Sequence, residues 1–375
     1  MALANFLILA SFSTFFLFPL FILKHGGNDI DIGVFMGVFT LASVVCRPWI
    51  SEMIDRIGRK KSYTVGSLKM SVVPLAYLFF QGDLSDFYFP LLCIRIVHGM
   101  GFAICLTAAF TYIADLVPAG RLNEGLGIFG VSGIVGTAIG PATAELVIER
   151  FGFQTLFVAA CVMATLALLV HLPLAETAAH GFRRSTPSFF AVLKDRKMAL
   201  IAILSVLFGF GLAASNGFVS PFASERQIVF VSLYYIAFSI SAVLTRFLGG
   251  RLADRLGEDR ILPYAMILTG IGLASLVFLS GSLILIVAGI LGGCGQGFLY
   301  PGLSALAVRD GPSAIRGKIM GIFTGSVDAG VFAGSIILGF IGQWAGFQTL
   351  FLFAGAALLA AFVLFRCGGF NDSQG

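Results

Sequence analysis

The stretch RPWISEMIDRIG, residues 47–58, returns in altered form as RFLGGRLADRLG at residues 246–257, which is 199 positions later (246 − 47 = 199). In both copies an Arg precedes an Asp by eight positions, and the pattern DR-x-G follows. A second stretch, GFQTLF, is identical at residues 152–157 and 346–351, 194 positions apart (346 − 152 = 194). Because small changes in loop length account for the drift between these offsets, the chain is predicted to be the product of a duplication.

The composition is that of a membrane protein. Hydrophobic residues make up 58% of the chain and charged residues 11%, and the mean hydropathy is +0.97. A soluble domain carries about 25% charged residues, so this composition excludes a soluble globular protein. The net charge of +5 comes from basic residues in short loops rather than in a stripe, so the predicted partner is a lipid bilayer and not a nucleic acid. The six cysteines form no CxxC pair and are expected to be buried apolar groups rather than metal ligands or disulfides.

Apolar runs of spanning length recur along the whole chain, since a bilayer core of about 30 Å takes roughly 20 helical residues. The first run begins at Ala2 with no basic segment before it, which predicts a retained span rather than a cleaved signal peptide. The predicted spans number twelve, with approximate limits 4–23, 32–51, 62–81, 88–113, 125–148, 155–173, 198–221, 228–250, 261–280, 283–307, 319–342 and 349–366.

The distribution of Lys and Arg predicts the orientation of these spans. The loops of one side, with the segment after the last span, hold 17 of the 24 basic residues, and the loops of the other side hold only Lys24, Arg150 and Arg226. Both termini are therefore expected in the cytoplasm, with the protein in the plasma (inner) membrane. The predicted domains are a six-helix bundle at 1–173, a cytoplasmic linker at 174–197 and a second six-helix bundle at 198–375, related as a parallel repeat.

The loop after the second span carries a recognisable signature. SEMIDRIGRKK (residues 51–61) resembles the loop pattern G-x-L-x-D-R-x-G-R-[RK] of the major facilitator superfamily, with Ser51 in place of the first glycine. GRLADRLGEDR (residues 250–260) resembles a second copy that is degraded after Gly257. This family is built from parallel repeats, so the resemblance implies an all-α integral membrane protein of twelve helices in two six-helix bundles.

Two further motifs lie within predicted spans. RIVHGMG (residues 95–101) resembles the family's fourth-span pattern R-x-x-x-G-x-G. GTAIGPATAE (residues 136–145) resembles the fifth-span pattern G-x-x-x-G-P-x-x-G-G, but Ala144 and Glu145 stand in place of the last two glycines. Gly136 and Gly140 are expected to allow close helix packing rather than to bind a ligand, and Pro141 is expected to kink the span. In the family this motif is associated with antiporters.

The resemblance also implies a cytoplasmic gate, a charge cluster that latches the outward-facing state. Asp115, at the cytoplasmic end of the fourth span, is the expected partner of Arg59. Anchoring by basic residues alone is the alternative, but it does not explain an Asp repeated at 55 and 254. The predicted gate residues are Asp55, Arg56, Gly58, Arg59, Asp115, Asp254 and Arg255.

Ionisable residues that lie within a span in only one half are candidates for transport chemistry, because repeated features mostly serve architecture. Each embedded charge costs about 2.5–3.5 kcal/mol and usually faces a bundle interior or cavity. Asp328 lies about 15 Å into its span, near the midplane, although an acid is often found at this span in the family and a structural role stays open. Arg95 and Glu145 both lie in the outer half and are a possible pair. The four residues are Lys69, Arg95, Glu145 and Asp328, and their uncharged counterparts are Leu268, Leu291, Gly339 and Ile134.

Other polar residues complete the predicted substrate and proton pathway. His98 is either a proton carrier or a packed, hydrogen-bonded residue. Lys69 is closer to the cytoplasmic side and is expected to extend its amine to the membrane surface. Asn216, Gln296 and Tyr300 lie on the seventh and tenth spans, where they are candidates for lining a cavity.

The predicted function is transport rather than catalysis. The sequence has no nucleophile elbow, no HExxH and no P-loop, so neither enzyme chemistry nor ATP hydrolysis is indicated. We expect a monomer without a cofactor that moves a small molecule by alternating access, driven by a proton gradient. The antiporter-type motif favours efflux by antiport, and uptake of a small metabolite or sugar by symport is the alternative. A receptor or scaffold that does not transport is the third possibility.

Overall fold

The computed structural model describes residues 1–118, 122–177, 192–309 and 316–368, and the side chains of 122–124, 249–256 and 316–318 lie outside that description. Within it the chain is helical and contains no strand. The helices are α1 (Ala2–Thr14), α2 (Phe18–Lys24), α3 (Asp29–Ile57), α4 (Arg59–Ala76), α5 (Leu84–Leu116), α6 (Leu122–His171), α7 (Arg196–Glu225), α8 (Ser232–Leu256), α9 (Glu258–Ser275), α10 (Ser282–Arg309) and α11 (Arg316–Cys367). Short 3₁₀ turns at Phe15–Leu17, Tyr77–Phe79 and Leu276–Phe278 follow α1, α4 and α9.

Eight helical segments of the described chain are long and apolar enough to cross a membrane. Two of them, Gly125–His171 and Ile319–Cys367, are 47 and 49 residues long, which exceeds twice the roughly 20 residues of one crossing. Each is interrupted at one glycine, Gly152 or Gly346. The sequence predicted separate helices with loops at these places, and in the structure the helix resumes after a single non-helical residue.

Four glycines share an unusual backbone conformation and fall at repeated positions. Gly152 (φ 81°, ψ 179°) and Gly346 (φ 79°, ψ 165°) begin the two GFQTLF copies. Gly58 (φ 101°, ψ 161°) and Gly257 (φ 81°, ψ 151°) end the two DR-x-G copies, where they separate α3 from α4 and α8 from α9. This region of φ and ψ is open almost only to glycine, so both repeated motifs contain a glycine where the helix is interrupted.

The chain divides into two compact units. The first comprises Met1–Asn28 with Val38–Arg183, and the second comprises Asp29–Gly37 with Arg184–Gly375. In the second unit the start of α3 packs closely on α11, because a Cβ at Gly37 would lie 3.3 Å from the side chain of Phe332.

The first unit has its core where α1, α4, α5 and α6 meet. Buried residues of this core include Ile8, Tyr63, Met70, Ala108 and Ala164. Buried hydroxyl groups reinforce the packing, since the Ser11 hydroxyl donates to the Ala160 carbonyl at 2.8 Å. The corresponding packing in the second unit joins α7 to α11.

Candidate transport site and its relatives

The guanidinium of Arg95 lies in an aromatic cage within the first unit. Arg95 is 2% exposed on α5, and its Cζ lies 4.6 Å from the ring centre of Phe39, 4.8 Å from Phe18 and 5.6 Å from Phe15. Arg95 also shares a side-chain hydrogen bond with Tyr77. Because rings and a tyrosine hydroxyl are neutral, they stabilise the cation without cancelling its charge.

The hydroxyl of Tyr77 links this cage to His98. It lies 3.2 Å from Nδ1 of His98, which is completely buried one helical turn from Arg95. Nε2 of His98 is buried and has no hydrogen-bond partner among the residues that the structure describes. The ring is also packed edge-on against Phe15, with ring centres 4.7 Å apart. His98 therefore combines the packed environment with one ring nitrogen that is open to a further partner.

Glu145 and Lys69 are less buried than Arg95 and His98. Both side chains are half-buried, and the pairing of Glu145 with Arg95 stays a prediction. Lys69 lies beside Gly101, where an added Cβ would lie 3.0 Å from the Cβ of Lys69. The Lys69 stem therefore packs against α5, and the extension of its amine toward the surface stays a prediction.

In the second unit Asp328 is half-buried on α11, in the segment that packs on α7. An added Cβ at Gly330 would clash with the backbone carbonyl of Val206, and one at Gly209 would clash with that of Val327. The two helices are therefore in close backbone contact around Asp328. Such contact holds α11 against α7 at the level of Asp328.

Three other predicted pathway residues of the second unit are half-buried: Asn216 on α7, and Gln296 and Tyr300 on α10. The ring of Tyr300 packs edge-on against Phe323 of α11 at 5.2 Å, and Tyr300 interacts electrostatically with Arg246. Oε1 of Gln296 is buried and has no hydrogen-bond partner within the described part of the chain. Asn216 follows Ser215, whose hydroxyl lies 2.9 Å from that of Tyr234 on α8.

The predicted partner of Arg59 is present at the basic end of the first unit. Nε of Arg59 donates to Oδ2 of Asp115 at 2.8 Å, and Nη1 lies 3.4 Å from Oδ1 of Asp55. The Arg59 side chain is only 14% exposed, whereas Asp115 is 32% and Asp55 59% exposed. Arg56 pairs with Glu52 on the same helix. This geometry joins the ends of α3, α4 and α5.

The second copy of the DR-x-G motif contributes two further predicted gate residues. The side chains of Asp254 and Arg255 lie outside the described residues. Nearby in the second unit, Nη1 of Arg309 lies 2.9 Å from Oδ2 of Asp259 and 3.6 Å from Glu258. An Arg–carboxylate contact therefore also joins α9 to the end of α10.

A residue that the sequence analysis did not select, Glu176, caps α4. Its two carboxylate oxygens accept the backbone amides of Lys60 at 2.9 Å and Lys61 at 3.2 Å. A side chain at Gly58 would collide with this carboxylate, since an added Cβ would lie 2.6 Å from Cδ of Glu176. The tyrosine hydroxyl of Tyr112 donates to the neighbouring Ala175 carbonyl at 2.9 Å. The start of the linker is therefore fixed onto the DR-x-G loop.

The fifth-span glycines pack against α1. An added Cβ at Gly136 would lie 2.5 Å from the carbonyl oxygen of Phe6, and one at Gly140 would clash with the Ser13 hydroxyl. Both glycines have counterparts 194 positions later, Gly330 and Gly334, which pack in the same way against α7 (136 + 194 = 330; 140 + 194 = 334). The expected packing role is thus seen in both units. Pro141 is buried next to Gly140 and has Ser335 as its counterpart.

The family model described as Major Facilitator Superfamily matches residues 1–235 and 201–372, which together span almost the whole chain. The chain belongs to the Major Facilitator Superfamily. It is 26% identical over 349 residues to an uncharacterised MFS-type transporter of Methanocaldococcus jannaschii, covering 88% of this chain and 86% of that one. It is 24% identical over 364 residues to the multidrug resistance protein MdtG of Serratia proteamaculans, covering 93% of this chain and 86% of MdtG.

The fold agrees with this membership. The crystal structure of a point mutant of the nucleoside transporter NupG superimposes with a TM-score of 0.79 over 98% of both chains, at 15% identity. The relatives are membrane transporters and not enzymes, and this chain is an integral membrane transporter.

The residues that the sequence analysis missed differ in how they could have been found. Tyr77 has Leu276 as its counterpart (77 + 199 = 276), so the comparison between halves would have selected it if polar residues had been included. Phe15, Phe18 and Phe39 carry no such signal, because 39 phenylalanines are spread over the chain. Only the three-dimensional arrangement identifies them as the cage.

Proposed function

We propose that this transporter exports a small molecule in exchange for protons, by alternating access of two six-helix bundles. The observation that carries the proposal is the pair of embedded charges, Arg95 and Asp328, each present in only one half of a scaffold that is otherwise repeated. Such charges mark ion and substrate pathways. The absence of ATP-binding motifs from the sequence leaves an ion gradient as the source of energy.

In this proposal the protein is a monomer that crosses the inner membrane twelve times, with both termini in the cytoplasm. Counting α1 with α2 as one crossing, and α6 and α11 as two crossings each, gives twelve helical crossings. The interruptions at Gly152 and Gly346 supply the turns between the crossings of α6 and of α11. The excess of basic residues in one set of loops supports the orientation.

Export is favoured by the similarity to MdtG, which is named a multidrug resistance protein. It is also favoured by the Gly-Pro element at Gly140 and Pro141, which in the family is associated with antiporters. Proton-coupled uptake is the second candidate, because the departure at Ala144 and Glu145 from the fifth-span pattern weakens the argument for antiport.

Reconstituted vesicles with an imposed pH difference distinguish these functions whichever way the protein inserts. Protons flow from the acidic to the alkaline side, so an antiporter accumulates its substrate on the acidic side and a symporter on the alkaline side. The panel should contain permanently charged lipophilic cations, nucleosides and sugars, because weak bases accumulate on the acidic side without a protein. Vesicles without protein are the blank. Failure of every compound to move would contradict transport of these classes.

The same assay tests the coupling residue. Asp328→Asn keeps the shape of the side chain and removes the group that binds a proton, so the pH difference should no longer drive accumulation, while exchange without a gradient continues. Lys69→Gln is the matched control, because it also removes a charge from a half-buried site, in the other unit. It should have only a small effect on proton-coupled accumulation. If Asp328→Asn keeps full proton coupling, the proton site must be sought at Glu145 and His98.

A further inference from the structure

A pocket between α9, α10 and the end of α11 has no role in the transport proposal. Its volume is about 480 Å³, and its lining is largely apolar except for two arginines. Arg260 is the third residue of α9, and Arg366 is the second-last residue of α11, so both guanidinium groups come from helix ends. The main lining residues are Arg260, Ile261, Tyr264, Leu268, Phe298 and Arg366.

These two arginines differ from others at the helix ends of this chain. Arg59 and Arg309 are each paired with two carboxylates. Among the residues that the structure describes, neither Arg260 nor Arg366 has a carboxylate within 4.0 Å, and Arg366 contacts the ring of Phe362 at 5.9 Å. Both side chains are exposed. Two like charges are therefore held at one pocket without a direct ion pair to the described chain, since the neighbouring acids Glu258 and Asp259 are paired with Arg309.

The duplication allows the surroundings of Arg260 and Arg366 to be compared with the corresponding residues of the first unit. There the start of α4 receives a carboxylate, because the amides of Lys60 and Lys61 donate to Glu176. The counterpart of Glu176 is Phe370, which has no carboxylate (176 + 194 = 370). The counterparts of Lys61 and Leu172 are Arg260 and Arg366 (61 + 199 = 260; 172 + 194 = 366). At this place the second unit has an arginine where the first unit has Leu172. The acids Glu258 and Asp259, which stand in place of Arg59 and Lys60 (59 + 199 = 258; 60 + 199 = 259), pair with Arg309.

The rest of the lining selects the kind of anion. Below the arginines the groove follows α9 from Arg260 to Leu268, eight residues or about 12 Å toward the membrane interior. Tyr264 is 62% exposed on this path, as expected for an aromatic side chain at a membrane–water interface. Phe298 also borders an apolar groove of about 720 Å³ between α8 and α10. A phosphate alone would leave these apolar surfaces uncovered.

We propose that this pocket binds an anionic phospholipid, with the phosphate between Arg260 and Arg366 and an acyl chain along Leu268 and Phe298. Basic pockets between spans bind acidic head groups in this manner. Guanidinium groups are suited to phosphate, since they present several donors in a planar array.

The test is lipid binding to the purified full-length protein in neutral detergent, followed by native mass spectrometry. The probes are short-chain phosphatidylglycerol, phosphatidylcholine with the same chains, and inorganic phosphate. Each basic residue near a membrane surface contributes roughly 1 kcal/mol, so the Arg260→Gln/Arg366→Gln variant should bind phosphatidylglycerol about 30-fold more weakly. Its affinity for phosphatidylcholine should change much less.

Arg226→Gln is the matched control, because Arg226 is also exposed and its Cζ lies 5.4 Å from the ring centre of Phe222, near the end of α7. It should leave phosphatidylglycerol binding unchanged. The Arg260→Lys/Arg366→Lys variant keeps both charges and should retain the preference for the acidic lipid, which preserves the test if the Gln variant does not fold.

Three results would overturn the proposal. One is unchanged phosphatidylglycerol binding in the Gln variant, and another is an equal loss in the Arg226 control. The third is displacement of the lipid by inorganic phosphate at similar concentration, which would identify a free-phosphate site. None of these results depends on whether the protein transports by antiport.

Discussion

Replacing Gly152 by alanine should destabilise the protein although the new methyl group meets nothing. At φ 81° and ψ 179° the backbone of Gly152 lies in a region that is open almost only to glycine. Apart from its own chain neighbours, no atom lies within 4 Å of the position of an added Cβ. The cost is therefore purely conformational, about 1–3 kcal/mol. Gly346→Ala should behave in the same way, because its conformation is nearly the same and its Cβ position is equally open.

Gly127→Ala is the control with the same chemical change. Gly127 lies on the same helix α6, has no positive φ, and also has nothing within 4 Å of an added Cβ. Alanine inside a helix is more stable than glycine by roughly 0.5–1 kcal/mol. The two variants should therefore differ by about 1.5–4 kcal/mol in the free energy of unfolding.

Reversible unfolding by sodium dodecyl sulfate in mixed micelles, followed by tryptophan fluorescence, measures this difference. Trp49 and Trp344 are the two tryptophans of the chain and need no added label. If Gly152→Ala were as stable as Gly127→Ala, the helix would not need to break at Gly152. The explanation of the repeated GFQTLF stretch as a glycine-dependent turn would then be refuted.

Three further predictions concern the sites. Asp115→Asn should slow transport more than Asp55→Asn, because Asp115 lies closer to Arg59 and is less exposed than Asp55. Equal transport rates and equal cytoplasmic cysteine labelling in the two variants would contradict this. Glu176→Gln should lower the free energy of unfolding by about 0.3–1 kcal/mol, since it removes a negative charge from a helix N-terminus, and an unchanged midpoint of the unfolding titration would count against the cap. Tyr77→Phe keeps the ring but removes the hydroxyl that contacts His98 and hydrogen-bonds Arg95. It should shift the pH profile of transport and lower the free energy of unfolding by about 1.5–3 kcal/mol, because the bond to a buried charged group is lost; a profile identical to that of the wild type would remove Tyr77 from the pathway.

The parts of the fold that the sequence predicts are those with a local or repeated cause. Apolar runs give the helices because backbone groups in lipid must be satisfied within a segment. The repeated Gly58 and Gly257 mark tight breaks because only glycine adopts their conformation easily. Complementary charges at helix ends also predicted the contact of Arg59 with Asp115, which the structure contains at 2.8 Å.

The parts that the sequence does not predict depend on contacts between distant segments. The cage around Arg95 takes Phe15, Phe39 and Tyr77 from three different helical segments, and apolar residues of these types occur along the whole chain. The limits at Gly152 were also missed, because a one-residue break in an apolar helix needs no polar loop to mark it.

The structure limits what the fifth-span motif can indicate about the direction of transport. Gly136 and Gly140 recur as Gly330 and Gly334, and in each unit the pair lets one helix approach another more closely than a side chain would permit. A feature that both halves need for packing cannot by itself encode an asymmetry such as export against uptake. Pro141 has a serine, Ser335, as its counterpart in the other half. A proline inside a helix removes a backbone hydrogen bond and bends the segment. Of the fifth-span motif, it is therefore the proline, together with the embedded charges found in one half only, that can distinguish the two directions of transport.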